Sequence, residues 1–155
     1  MMRLILLFIV PLSLFAQILA VGDKIEPRTL EDQFSKKYQV GSEKVWVLTW
    51  DKATTRIAND YFEKDPSLLQ SKEAAMIADF STIPSGILSL FVMPRMQAYT
   101  RHSMLLSFDE KFNASLPYRE GYLTILFLER GRIIKIGYVG NEQELASALE
   151  TLSRE

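Results

Sequence analysis

The chain has 155 residues, 18 basic against 19 acidic side chains, a formal net charge of -1, 48% hydrophobic residues and 11% aromatics, enough for one packed domain and unlike a disordered segment. No Lys/Arg cluster of the kind that tracks a phosphate backbone is present, so nucleic acid is not an expected partner. Cysteine is absent and His102 is the single histidine, which excludes disulfides and thiolate chemistry and leaves no metal or cofactor expected.

The first twenty residues, MMRLILLFIVPLSLFAQILA, place Arg3 before an apolar run from Leu4 to Val10, then Pro11 and small residues near Ala16 and Ala20. This is the layout of a secretory signal peptide cut after one of those alanines. The stretch from Leu4 to Ala20 is interrupted by Pro11, Ser13 and Gln17, and it is shorter than the ~20 apolar residues a spanning helix needs. An uncleaved N-terminal anchor is the alternative, and only in that case is a membrane contact expected. No Cys follows the run, so a lipid-anchored lipoprotein is excluded. The expected organisation is a signal peptide over 1–20 and one domain over 21–155, periplasmic or secreted. A domain of about 135 residues buries some two-thirds of its unfolded surface. Its stability must therefore come from a core, since export permits disulfides and the chain has none.

From Val21 the chain opens with VGDKIEPRTLEDQFSKKYQV, which reads as two short strands around a polar turn near Ser35 to Lys37. Val45 to Trp50 is apolar without alternation and predicts a central strand. Asp51 is placed to cap a helix whose apolar residues Ile57, Ala58, Tyr61 and Phe62 recur at helical spacing up to Pro66, with a short helical turn at Leu68 to Lys72. Ala74 to Ser81 predicts a second buried strand, followed by the loop STIPSG. The apolar segment from Ser85 to Gln97 predicts a helix kinked or ended near Met93, because Pro94 follows. His102 to Asp109 predicts a third central strand, Tyr122 to Tyr138 a hairpin turning at Glu129 to Gly131, and Asn141 caps an amphipathic helix with Leu145, Ala148, Leu149 and Leu152 on one face. Strands separated by helical crossovers and closed by a hairpin give an α/β chain with a mixed central sheet flanked by helices.

In this order the chain resembles the thioredoxin-like superfamily, and its peroxiredoxin (AhpC/TSA) branch in particular. The opening is similar to that branch's V-G-x-x-x-P lead and L-x-D-Q-x-G, with Ser35 where glycine is usual; LLSFDEKF and GYLTILFLERGRI are similar to the later strand and hairpin. Where thioredoxins carry W-C-x-x-C, the chain reads Trp50-Asp51-Lys52-Ala53-Thr54. Where they carry a cis-proline it has Leu123, followed by a retained Thr124, and the arginine that peroxiredoxins set on this strand is absent near Tyr122. A hydroxyl ionises far too high to replace a thiolate, so redox catalysis is excluded. ADFSTIPSGILSLFVMPRMQ further resembles the cysteine-less periplasmic YtfJ-type proteins, which implies a noncatalytic envelope protein.

The carboxyl ends of strands in an open α/β sheet are where ligands bind. Trp50, Asp51, Lys52 and Thr54, with Ile83 and Pro84 of the STIPSG loop and Leu123 and Thr124, form the expected binding rim for an envelope protein or an extended peptide. The plainer alternatives are that Asp51 only caps its helix, that Trp50 fills the core, and that Ser85 caps the next helix. Arg95 and Arg101 read as solvated helix-end charges. His102 reads as a surface residue; a triad with Ser103 and Asp109 lacks a G-x-S-x-G elbow, so an enzyme of non-thiol class stays a secondary alternative. Asn113 opens an NAS sequon, and Leu88, Leu90, Phe91, Met93 and Met96 form a broad apolar helix face that serves either core packing or, as a structural subunit or binding patch, another protein.

Overall fold

The computed structural model describes residues 17–151. Most of the expected signal peptide and Leu152 lie outside them. Strands β1 (Arg28–Asp32) and β2 (Lys37–Val40) form the expected first hairpin. Its turn is closed by Asp32, whose carboxylate accepts from the N–H groups of Phe34 and Lys36. Ser35 takes a left-handed φ of 63° there, a conformation that favours glycine.

Strand β3 (Val45–Thr49) is buried at every residue, as its unbroken apolar run predicts. It lies between β4 (Ala74–Asp79), parallel to it, and β6 (Leu123–Glu129), antiparallel. With β5 (Leu105–Ser107) and β7 (Arg132–Val139) these make one seven-stranded mixed sheet in the order β2-β1-β5-β4-β3-β6-β7. The β6–β7 turn holds Arg130 and Gly131 at φ 50° and 76°, the pair of positive angles that matches strand twist in a two-residue hairpin.

Alternation along β3 divides two cores. Val45 and Val47 join Phe62, Met76, Leu145 and Leu149 on one face, while Trp46 and Leu48 join Ile77, Phe112 and Ile25 on the other. The first face is covered by helix α1 (Lys52–Lys64), through Ala58 and Phe62, and by the C-terminal helix α6 (Glu142–Glu150), capped by Asn141. Helix α5 (Glu110–Ser115), capped by Asp109, lies on the second face. A short helix α2 (Leu68–Ser71) leads into β4.

The helix after the STIPSG loop differs from expectation. It starts at α3 (Ser85–Ile87) with Pro84 in the cap position and no side-chain cap bond, so Ser85 does not act as a cap. It passes through a π-helical turn (Leu88–Val92) and continues as α4 (Met93–Tyr99). Pro94 does not end it, because the N–H of Met93 bonds to Leu88 O, five residues back. The widened turn accommodates a proline ring that would clash with the carbonyl four residues behind it in a regular helix.

Candidate binding groove at the carboxyl edge of the sheet

Because β3, β4 and β5 are parallel, their carboxyl ends bring Trp50, Phe80 and Phe108 to one edge of the sheet, and the start of antiparallel β6 arrives at the same edge. At the β3–α1 joint, Asp51 Oδ1 accepts from the Thr54 N–H at 2.8 Å and from the Thr54 hydroxyl at 2.9 Å. Thr54 Oγ1 in turn accepts from the N–H of Asp51 at 3.1 Å and of Trp50 at 3.0 Å. This reciprocal capping box satisfies helix-end donors that otherwise lack partners. Asp51 and Thr54 stand at the two positions where the resemblance places thiols. Thr54 is buried and is therefore a lock beneath the rim, correcting the expectation that it contacts a ligand.

Trp50 is half-buried. Its indole N–H donates to Thr124 Oγ1 at 3.2 Å, and its ring meets Tyr118 edge-to-face at 5.4 Å. The Thr124 hydroxyl donates onward to Pro117 O at 2.7 Å. Leu123 and Thr124 are both 0% exposed, which corrects the expectation that they offer surface to a partner. Strand β6 runs between β3 and β7, so Leu123 is enclosed in the core and Thr124 is held as the support of Trp50.

Beside Trp50 opens a groove of about 860 Å³. One wall is the polar face of α1, with Lys52, Arg56 and Asp60 in one row and Thr55, Asn59 and Glu63 in the next. Residues four apart in a helix share a face, which aligns both rows with the groove. The facing wall comes from the segment 85–99 and presents Phe91, Met96 and Tyr99, with Arg95 among them. Asp79, Phe80 and Ile83 close the inner end. Of the residues singled out in the sequence, Trp50, Asp51, Lys52 and Ile83 line this groove. Pro84 is exposed at the start of the helix and does not line it. The four-residue repeat Thr55, Asn59, Glu63, running beside the apolar Ala58 and Phe62, is the sequence pattern that marks the second wall.

His102 is not a surface residue. It is 2% exposed, with Nδ1 2.6 Å from Glu63 Oε1 and Nε2 2.9 Å from Asn59 Oδ1. Burial pushes its pKa below the ordinary histidine value, against the opposing pull of Glu63. Partial burial works against the charge on Glu63, yet N–H groups of Arg101 and His102, together with both side chains, hold its carboxyl at about 2. Arg101 is thus an ion-pair partner of Glu63, not a solvated helix-end charge. The triad is overturned by geometry. The Ser103 hydroxyl is engaged by Tyr38 and Asp32, and Asp109 caps α5 and pairs with Arg28 at 3.6 Å. The sequon residue Asn113 is also buried, donating to Asp79 Oδ1 at 2.7 Å and bonded to the Ser107 hydroxyl.

Among the described residues no group of three His, Cys, Asp or Glu side chains is arranged to hold a metal ion, and no helix is long and apolar enough to cross a membrane. No protein-family model and no curated protein matches the sequence. Solved structures do match the fold. A peroxidoxin from Mycobacterium tuberculosis aligns with a TM-score of 0.58 at 13% identity, over 88% of this chain and 97% of that one. A thio-disulfide isomerase from Thermus thermophilus aligns at 0.51 and 15% identity, over 86% and 97%. A peroxiredoxin-like protein from Aquifex aeolicus aligns at 0.51 and 12% identity, over 87% and 88%. The chain has the thioredoxin-like fold, and with no cysteine in its 155 residues that fold carries no thiol chemistry.

Proposed function

We propose that the protein is a redox-inactive thioredoxin-fold module of the bacterial periplasm that binds an extended segment of another envelope protein in the groove between Trp50, α1 and the segment 85–99. The observation that carries this reading is the coincidence of a preformed groove of about 860 Å³ with an uncovered apolar wall. On that wall Phe91 is 69% exposed and Tyr99 75%, and exposed apolar surface of this kind marks interaction sites. The capping box closes the former thiol positions, and the Trp50–Thr124–Pro117 chain fixes the aromatic at the groove mouth. A rigid aromatic at the end of a groove is the usual anchor of a binding hot spot.

The signal-peptide layout of the first twenty residues supports the periplasmic assignment. Cleavage after Ala16 would retain Leu19, whose N–H donates to Ser115 O at 2.8 Å and whose side chain packs against the second core. N-terminal sequencing of the exported chain checks that choice. The binding reading is tested by capture from an envelope extract with the tagged chain beside Trp50→Ala, Phe91→Asp and, on the outer strand β7, Ile134→Asp. A partner retained by Ile134→Asp and lost by both groove variants supports it. An identical partner list for all four proteins overturns it.

A further inference from the structure

We infer that the segment bound in the groove is acidic as well as apolar, with carboxylates that meet Lys52 and Arg95; this rests on the groove reading above. Four carboxylates and three cations border the groove, but they are not equivalent. Each carboxylate is already engaged by this chain. Asp51 accepts from Thr54, Asp60 pairs with Arg56, Glu63 with Arg101 and His102, and Asp79 accepts from Ser81 and Asn113. Arg56 is thereby also paired. The side chains of Lys52 and Arg95 have no hydrogen bond or ion pair among the described residues, and both are exposed on opposite walls.

A second observation points the same way. Lys52 is the first residue of α1, whose first turn contains no acidic side chain. The helix dipole favours negative charge there, so a lysine at that place is unfavourable to the helix by itself. An anionic occupant reverses the balance by pairing with the Lys52 ammonium, since the helix-end N–H of Thr54 is already taken by Asp51. The apolar wall at Phe91, Met96 and Tyr99 asks in turn for aliphatic or aromatic side chains between the acidic ones. Alternating acidic and apolar residues on an extended segment satisfy both walls, whereas a basic segment would face two unpaired cations.

The test is selection from a random-peptide display library on the immobilised full chain, followed by binding of the selected peptides to Lys52→Glu/Arg95→Glu and to Phe91→Asp. Exposed, unpartnered cations are replaceable without loss of fold, and circular dichroism verifies this. The expected result is enrichment of Asp or Glu beside aromatic or aliphatic residues, with affinity reduced about tenfold by the double charge reversal and by added salt. Peptides selected without acidic bias, bound equally by the charge-reversed protein and lost only with Phe91→Asp, would overturn the acidic preference and leave the groove reading standing. If no peptide is selected, both fall. Dodecanoate is titrated in parallel, and its saturable quenching of Trp50 fluorescence, with no peptide selected, would assign the groove to an acyl carboxylate instead.

Discussion

The Asp51 carboxylate and the Thr54 hydroxyl lie 2.9 Å apart, at the two positions where the resemblance to thioredoxins places a pair of thiols. What joins them here is a helix cap. The cap closes the joint in the same place and fixes the direction in which α1 leaves β3, and with it the angle of the groove wall. Asp51→Ala removes the acceptor and is expected to lower stability by about 0.5–2 kcal/mol, while Asp51→Ser, which keeps a capping oxygen, is expected to lose less. Urea denaturation of the three proteins measures both.

Thr124 is the second support. Its hydroxyl accepts from Trp50 and donates to Pro117 O within a fully buried strand. Thr124→Val keeps the shape and leaves an indole N–H and a carbonyl without a partner, so a loss of about 1–3 kcal/mol is expected. The emission spectrum of Trp50 should shift with it, since Trp46, the other tryptophan, stays enclosed in the core.

Acid should weaken the protein in two windows. The folded-state pKa of His102 lies below its ordinary value of 6.5 because of burial. Below pH 6.5 the unfolded chain therefore takes up a proton that the folded chain resists, and stability falls as pH falls. Glu63 is depressed from 4.5 to about 2, so its contribution is complete above pH 4.5 and is lost as pH drops toward 2. Denaturation at a series of pH values is expected to show both losses. Glu63→Gln should abolish the lower one while costing stability at neutral pH, where Arg101 and His102 lose their carboxylate.

Asn113 ties the ends of β4 and β5 to α5 through Asp79 and Ser107. Asn113→Ala leaves those buried polar groups without partners and is expected to cost about 1–3 kcal/mol, read as a lowered Tm. Its burial also means that the folded chain cannot present the NAS sequon to solvent.

The sheet was legible in the sequence because its strands carry the strongest patterns. Val45 to Leu48 is apolar at every position, Asp51 and Asn141 stand at helix starts as caps, and Arg130-Gly131 supplies the left-handed turn. The site was only half legible. Trp50, Asp51, Lys52 and Ile83 follow from the rule that strand ends in an open sheet converge. The burial of Leu123 and Thr124 does not, since it depends on β6 lying between two other strands. His102 was misplaced because a lone histidine ahead of a strand carries no mark of the Glu63 and Asn59 that meet it from a helix roughly forty residues earlier. The continuation of the helix past Pro94 was hidden for a related reason: a π turn is a backbone adjustment with no residue signature of its own.

Photo-crosslinking in the living envelope tests the groove most directly, with a benzophenone amino acid placed at Phe91 in one protein and at Ile134 on β7 in another. A discrete adduct from Phe91 that disappears when Trp50→Ala is added, and none from Ile134, is the expected result. An adduct from Ile134 alone, or one from Phe91 that is indifferent to Trp50, would contradict it and move the binding surface away from the groove.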